Sequence, residues 1–223
     1  MYRIAISDIH GYGYLLERLY DKILSTYGDN VHIYFLGDYV DRGPDSGRSL
    51  NLVRRLVEQG VATALMGNHD WKLLRHLRYI NRGEPSKIQT NEHLERTVEE
   101  IQRYMTLQDA QNFLEELPFF LDLTDIKLVH AFYSSSVASG SKSKRDVALY
   151  GPVSSSELEE NGLPKRIPWW NTYDGRHGKV VFGHVHAGEI VKYEHCTCID
   201  TSVDVTGILG AYNIDTREVL YVS

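Results

Sequence analysis

The sequence predicts an α/β chain in which two sheets face each other and helices cover their outer sides. Two observations predict it. In the first third, short apolar runs alternate with amphipathic helical stretches, the strand–helix–strand pattern that gives parallel neighbours. In the last third, short strand-like runs follow one another with only turns between them. A helical insertion over residues 70–118 lies between, and residues 1–223 read as one domain with no internal repeat or evident linker.

Taken in order, Tyr2 to Ser7 reads as the first core strand, with Gly11 and Gly13 in the turn after it. From Tyr14 to Tyr27, Leu15, Leu16, Leu19, Tyr20, Ile23 and Leu24 fall on one helical stripe, ended by Gly28-Asp29-Asn30. Val31 to Leu36 is the second strand. Asp45 or Ser46 caps a helix that runs to about Gln59, with Leu50, Val53, Leu56 and Val57 facing inward. Gly60 stops it, and Val61 to Met66 is the third strand.

The insertion carries helical periodicity over Trp71 to Ile80, His93 to Met105 and Gln108 to Leu117. Its charged residues Glu92, Glu95, Arg96, Glu99, Glu100 and Arg103 read as a solvated face, and the insertion itself as a cap over the site. Phe119 to Leu123 and Ile126 to His130 read as a strand pair. Tyr133 to Arg145 is Ser-rich and basic, hence a loop; because it leaves directly from His130, a substrate-contacting lid is favoured over a bare surface loop. Lys179 to Phe182 is a buried strand. Glu189 to Tyr193, Thr197 to Asp200, Leu209 to Asn213 and Val219 to Val222 then complete an antiparallel finish.

Composition sets outer bounds. With 42% hydrophobic residues, a chain of this length can bury a sizeable core, and its net charge of -6 supplies no global basic field for a long nucleic acid. The basic residues at 142–145 leave room for a smaller anionic partner. Cys196 and Cys198, two apart on one strand, cannot easily bridge across a fold and are expected reduced; a zinc role would need further soft ligands. No long apolar span occurs and the chain starts directly in a strand, so a cytoplasmic protein without membrane contact is expected.

The chemistry concentrates in YFLGDYVDRGPD, Tyr34 to Asp45, where an apolar run stops at a glycine followed by two carboxylates and an arginine. Carboxylates at the end of a buried strand cost several kcal/mol unless something cationic meets them, on the order of what burying a polar group costs. SDIHG, GNHD, LVHA and FGHVH each sit where a short apolar run ends in a turn signal, so each could deliver polar residues to one sheet edge. Alone, each has a plainer reading: D-x-H is common, GNHD could be a simple turn, and His130 could be a hydrogen-bonded core histidine. Together, Asp8, His10, Asp38, Asn68, His130, His184 and His186 form an oxygen-and-imidazole set suited to two divalent ions of the manganese, iron or zinc type. Arg42 offers a bidentate fork for phosphate oxygens, unless it pairs with Asp41 or Asp45.

In SDIHG, GDYVDRGPDS, GNHD, VHA and GHVH the sequence resembles the calcineurin-like metallophosphoesterases, specifically their phosphoprotein phosphatase branch. The stretch from Ala148 to His184 looks most like two bacterial groups within it, the phosphatase modules of polynucleotide kinase-phosphatases and the bis(5′-nucleosyl)-tetraphosphatase-like phosphatases. The resemblance implies a four-layer αββα metallophosphatase sandwich and hydrolysis of phosphate esters by a metal-bridging water. It implies two divalent ions, manganese first, with iron or zinc as alternatives. Asp8, His10 and Asp38 would hold the first ion, and Asp38, Asn68, His130 and His184 the second. His69 would be the general acid, oriented by Asp41; Arg42, Asn68 and, less directly, Arg166 would bind the phosphate. Three departures stand out: Phe132 follows HA where relatives have glycine, GHVH replaces their GH-Thr-Pro, and IDTS with VDVTG replaces their glycine-rich ending. In the wider superfamily the second histidine of GHVH completes the first metal's shell, which makes His186 an added candidate ligand. The expected substrate is a nucleotide, polynucleotide phosphate or diadenosine polyphosphate. A phosphoprotein is the alternative, and a non-catalytic phosphate-binding module is a further one.

Overall fold

The structure, a computed structural model, describes residues 1–89, 92–133, 142–160 and 162–223, and of 142–144 the backbone alone. Its first sheet is built from β1 (Tyr2–Ile6), β2 (Val31–Phe35), β3 (Ala62–Ala64), β11 (Leu209–Asn213) and β12 (Val219–Val222), in the order β12-β11-β1-β2-β3. β1, β2 and β3 run parallel, because α1 (Gly13–Tyr27) and α2 (Ser46–Glu58) carry the chain back between them. The second sheet has the order β4-β5-β8-β10-β9, from β4 (Phe120–Asp122), β5 (Ile126–Val129), β8 (Lys179–Phe182), β9 (Val191–Lys192) and β10 (Cys196–Cys198). The two sheets face each other through Ala5, Leu36, Leu65, Leu128, Val181 and Ile199, all buried.

The helices cover the outer face of the first sheet as their stripes require. Leu15, Leu16, Leu19 and Ile23 of α1 are fully buried, each worth about 1.5–3 kcal/mol of transfer free energy. Asp45 caps α2 through its side chain, accepting from the Arg48 N–H at 3.0 Å. The insertion forms α3 (Asn68–Ile80), α4 (Glu92–Gln102) and α5 (Leu107–Glu116); α4 packs on α2, and α5 on α3.

Three sequence expectations need correction. The finish is not one antiparallel unit: β10 pairs parallel to β8, while β11 and β12 leave for the other sheet, where β11 lies antiparallel to β1. Glu100 is not solvated but buried, because α4 turns it onto the α2 N-terminus; it accepts the Ser46 N–H at 2.7 Å. The loop expected to reach Arg145 ends earlier, since α6 (Lys142–Tyr150) begins there and buries Ala148 and Leu149; residues 134–141 of that loop lie outside the described residues. The polar stretch after α6 forms an exposed hairpin of β6 (Val153–Leu158) and β7 (Pro164–Arg166), an element not among those expected.

Cys196 and Cys198 are free and buried, and burial pushes the Cys196 thiol up to about 12. Among the described residues no helix is long and apolar enough to cross a membrane.

Candidate metal centre and active site

The ends of β1, β2, β3, β5 and β8 converge at one edge of the two sheets, where each chain turns sharply. Asp8 (φ 51°), His10 (45°), Asp38 (57°), Asp41 (70°), Arg42 (66°), His184 (69°) and His186 (45°) all adopt the left-handed region that non-glycine residues rarely occupy. Such conformations cost on the order of 1–3 kcal/mol each and persist where surrounding structure imposes them. Close backbone approach adds a second constraint. A Cβ at Gly37 would sit 2.5 Å from the Gly67 Cα, so only glycine lets the ends of β2 and β3 come together.

Asp38 lies at the centre of the constellation, with 1% of its surface exposed. Its Oδ1 accepts the His69 N–H at 2.9 Å, while its Oδ2 lies 3.7 Å from His10 Nε2 and 3.5 Å from His130 Nε2. His10 and His130 each turn Nδ1 toward a backbone carbonyl, of Val40 at 3.1 Å and Leu36 at 2.9 Å. That contact fixes the tautomer and leaves the Nε2 lone pair aimed at the centre, the arrangement a ligating histidine needs. His130 Nε2 also lies 2.9 Å from Asn68 Oδ1 and 3.1 Å from His184 Nδ1.

Among the described residues two groups bring three ligand atoms within 4.8 Å of one another: His10, Asp38 and His69, and Asp38, His130 and His184. They share Asp38. A carboxylate common to two clusters of imidazoles is the donor chemistry of a bridged pair of divalent ions, and Asn68 adds a neutral oxygen to the second. Electrostatics agree. Burial pushes Asp8 well above the usual carboxylate range, and Asp200 adds to the rise. Burial lowers His10 to about 4 and His184 well below its ordinary value, which keeps both rings neutral and their lone pairs free.

Not every expected ligand joins these groups. Asp8 and His186 fall outside both. Asp8 Oδ2 accepts from the Ser7 hydroxyl at 2.5 Å and the His184 N–H at 3.0 Å, and its carboxylate abuts Gly183, where a Cβ would come within 2.1 Å of it. The His186 ring is half-exposed, with Nε2 3.3 Å from an Arg42 nitrogen and Nδ1 3.9 Å from Asp200. Arg42 pairs with neither Asp41 nor Asp45; it donates to Asp204 at 3.0 Å. Arg166, delivered by β7, donates to the His184 carbonyl at 3.0 Å and stands 2.9 Å from its Nε2.

The pair expected for proton transfer meets in space. His69 Nδ1 lies 2.7 Å from Asp41 Oδ2, so Nε2 is the ring nitrogen left to act on a substrate. Burial works against the His69 charge, but Asp38 and Asp41 outweigh it and raise its pKa. Asp41 is likewise pushed up by burial, yet its bonds from His69 and Thr97 hold it below the ordinary value.

Several supporting residues escaped the sequence reading. Asp70 is fully buried and accepts three backbone N–H groups, of Asp38 at 2.7 Å, Tyr39 at 3.0 Å and Gly67 at 3.0 Å, tying the β2 and β3 turns together. Asp200 holds the His186 N–H and the Ser202 N–H, each at 2.7 Å. Thr97 of α4 donates to Asp41 Oδ1 at 2.7 Å. The last residues of GNHD and the aspartate of CIDTS were the available signals; Thr97 and Asp204 had none.

A family model described as calcineurin-like phosphoesterase matches residues 1–215. The asymmetrical bis(5′-nucleosyl)-tetraphosphatase PrpE of Oceanobacillus iheyensis is 32% identical over 238 residues, covering 98% of this chain and 90% of the relative. The protein of the same name from Bacillus subtilis is 31% identical over 212 residues, covering 88% and 84%. A crystal structure provisionally described as a diadenosine tetraphosphatase superposes with a TM-score of 0.70 at 22% identity, covering 99% of this chain and 92% of that one. A yeast serine/threonine phosphatase similar to human PP5 superposes at 0.57 and 16% identity, over 100% and 79%. With the donor clusters at the strand ends and the αββα layers around them, the match over nearly the whole length means that the chain belongs to the calcineurin-like phosphoesterase family.

Proposed function

We propose that this phosphoesterase hydrolyses dinucleoside polyphosphates asymmetrically, taking diadenosine tetraphosphate to a nucleoside triphosphate and a monophosphate. The observation that carries the chemistry is Asp38 shared between two imidazole clusters; the names of relatives above 30% identity supply the substrate class. Bound divalent ions supply Lewis acidity and an activated water. We assign Asp38, Asn68, His130 and His184 to one ion and Asp38, His10 and Asp8 to the other. Asp8 would contribute a carboxylate oxygen, and His186, which lies against Arg42 and Asp200, is the added candidate for that second set.

The chain's own residues do the rest. Arg42 and Arg166 bind phosphate oxygens, each releasing its present partner, Asp204 or His184, as substrate enters. Asn68 orients a phosphate oxygen. His69, oriented by Asp41, donates a proton to the departing phosphate through Nε2. Manganese in a cytoplasmic enzyme acting as one domain is part of the same proposal.

Turnover of diadenosine tetraphosphate, a phosphopeptide and a 2′,3′-cyclic nucleotide, each with and without manganese, tests it. The expected result is manganese-dependent formation of ATP and AMP at the highest kcat/KM of the three. A higher kcat/KM for the phosphopeptide would transfer the enzyme to protein substrates.

A further inference from the structure

α3 starts at the centre and carries a row of cations away from it. A cavity of about 470 Å³ opens beside Asn68 and His69 and continues past Lys72, Arg75, Lys87 and Tyr150. A second, of about 590 Å³, shares Arg75 and Tyr150 with the first and extends it past Trp71, Arg78 and Arg145. His69, Lys72, Arg75 and Tyr79 recur at three- and four-residue spacing, so they follow one helix face. At 1.5 Å per residue, Lys72 and Arg75 lie about 4.5 and 9 Å further along the axis than His69, a span suited to a short phosphate chain.

The charge of this trough runs against that of the molecule, whose formal net is -6. Among the described residues, Asp146 is the one carboxylate lining either cavity. Arg78 is paired with Glu115, and Arg145 lies 4.3 Å over the Trp71 ring. Lys72, Arg75 and Lys87 form no ion pair among the described residues, and Arg75 and Lys87 are exposed. Tyr150 is 41% exposed at the junction of the two cavities, an aromatic face without a protein ring against it among the described residues.

We propose that this trough is the subsite for the leaving arm of the substrate, a nucleoside triphosphate. Lys72, Arg75 and Lys87 contact its phosphates and Tyr150 stacks on its base. The assignment rests on the function proposed above, and the geometry deepens it. The trough begins on the His69 side, where the departing phosphate receives its proton. The hydrolysis balances as one water added across one P–O bond, with the oxygen of that bond leaving on the triphosphate.

The test uses the full chain with manganese in excess and the exposed-site variants Arg75→Glu and Lys87→Glu. For diadenosine tetraphosphate, KM should rise at least tenfold in Arg75→Glu while kcat stays within about twofold, tenfold being about 1.4 kcal/mol. For p-nitrophenyl phosphate, which has no arm, the change in KM should be several-fold smaller. Calorimetric titration with adenosine 5′-(β,γ-imido)triphosphate, which does not turn over, should show at least tenfold weaker binding to Arg75→Glu. Tyr150→Ala should weaken that nucleotide but not inorganic tripolyphosphate. Equal KM changes for both esters, a phosphopeptide KM that rises as far as the dinucleotide's, or unchanged nucleotide affinity would overturn the subsite. If the parent hydrolyses p-nitrophenyl phosphate but not diadenosine tetraphosphate, the proposed function fails. The calorimetry then still decides the trough, and Lys87→Glu decides it if Arg75→Glu does not fold.

Discussion

Replacing Thr97 by valine removes one hydroxyl from the support of the proton-transfer pair and leaves the shape nearly unchanged. Thr97 is fully buried on α4 and donates at 2.7 Å to Asp41 Oδ1, while the other Asp41 oxygen holds His69. A hydrogen bond to a charged group contributes about 1.5–3 kcal/mol, and a chain of this size loses roughly 2–4 °C of melting temperature per kcal/mol. Asp41 is 5% exposed, so water can partly replace the lost donor and the lower half of that range applies. We expect thermal unfolding about 3–9 °C lower. Freed on one side, Asp41 rotates and His69 with it, so kcat should fall roughly three- to tenfold, a fraction of what general-acid catalysis supplies. Thr97→Ser, which keeps the hydroxyl, should retain kcat while giving up a buried methyl. A double-mutant cycle with Asp41→Asn should return a coupling of about 1 kcal/mol. Additivity of the two changes within about 0.3 kcal/mol, or equal kcat losses in the valine and serine variants, would refute the idea that α4 sets the His69 orientation.

Asp38→Asn should abolish hydrolysis and weaken both ions, since Asp38 is the one residue common to the two clusters; full two-ion occupancy by metal analysis with near-parent turnover would remove it from the centre. His69→Ala should keep its metals yet lose activity most for esters with poor leaving groups, and a flat loss across a leaving-group series would take away its acid role. Gly183→Ala places a Cβ 2.0 Å from Ser7 Oγ and 2.1 Å from Asp8 Oδ2, so metal affinity and thermal stability should fall together; a variant with parent values in both would mean that this turn yields freely. His186→Thr should leave the Asn68–His130–His184 set intact and make activity more dependent on added manganese, whereas superimposable manganese titrations would place His186 with Arg42 and Asp200 alone.

Residues at the ends of buried strands were legible because two requirements coincide there. An apolar run fixes the strand, and a polar residue just past it has no structural use in that position, so Asp8, Asp38 and His184 stand out in the sequence alone. Their supports do not. Asp70 and Asp200 hold backbone N–H groups, a role that any turn aspartate can fill and that its neighbours in sequence do not mark. Glu100 was misread because its helix is amphipathic with glutamates on both borders, and only the packing of α4 against α2 decides which of them goes inside. The β6–β7 hairpin was invisible for a related reason. Its strands are almost wholly exposed, so they bear no alternation of apolar and polar residues, yet one of them brings Arg166 to His184.

The position of β11 carries a consequence for how the molecule comes to exist. β1 sits in the middle of its sheet, parallel to β2 on one side and antiparallel to β11 on the other, with Ile4 opposite Asn213. During synthesis, β1, β2 and β3 can assemble as soon as they emerge, but the other edge of β1 stays bare until Leu209–Asn213 arrives at the far end of the chain. A nascent sheet with an unpaired apolar edge recruits strands from other chains. Pairings this distant in sequence also close slowly. Chains released before residue 209 should therefore accumulate as insoluble material rather than as a folded half, and slower or colder production should raise the soluble yield of the whole.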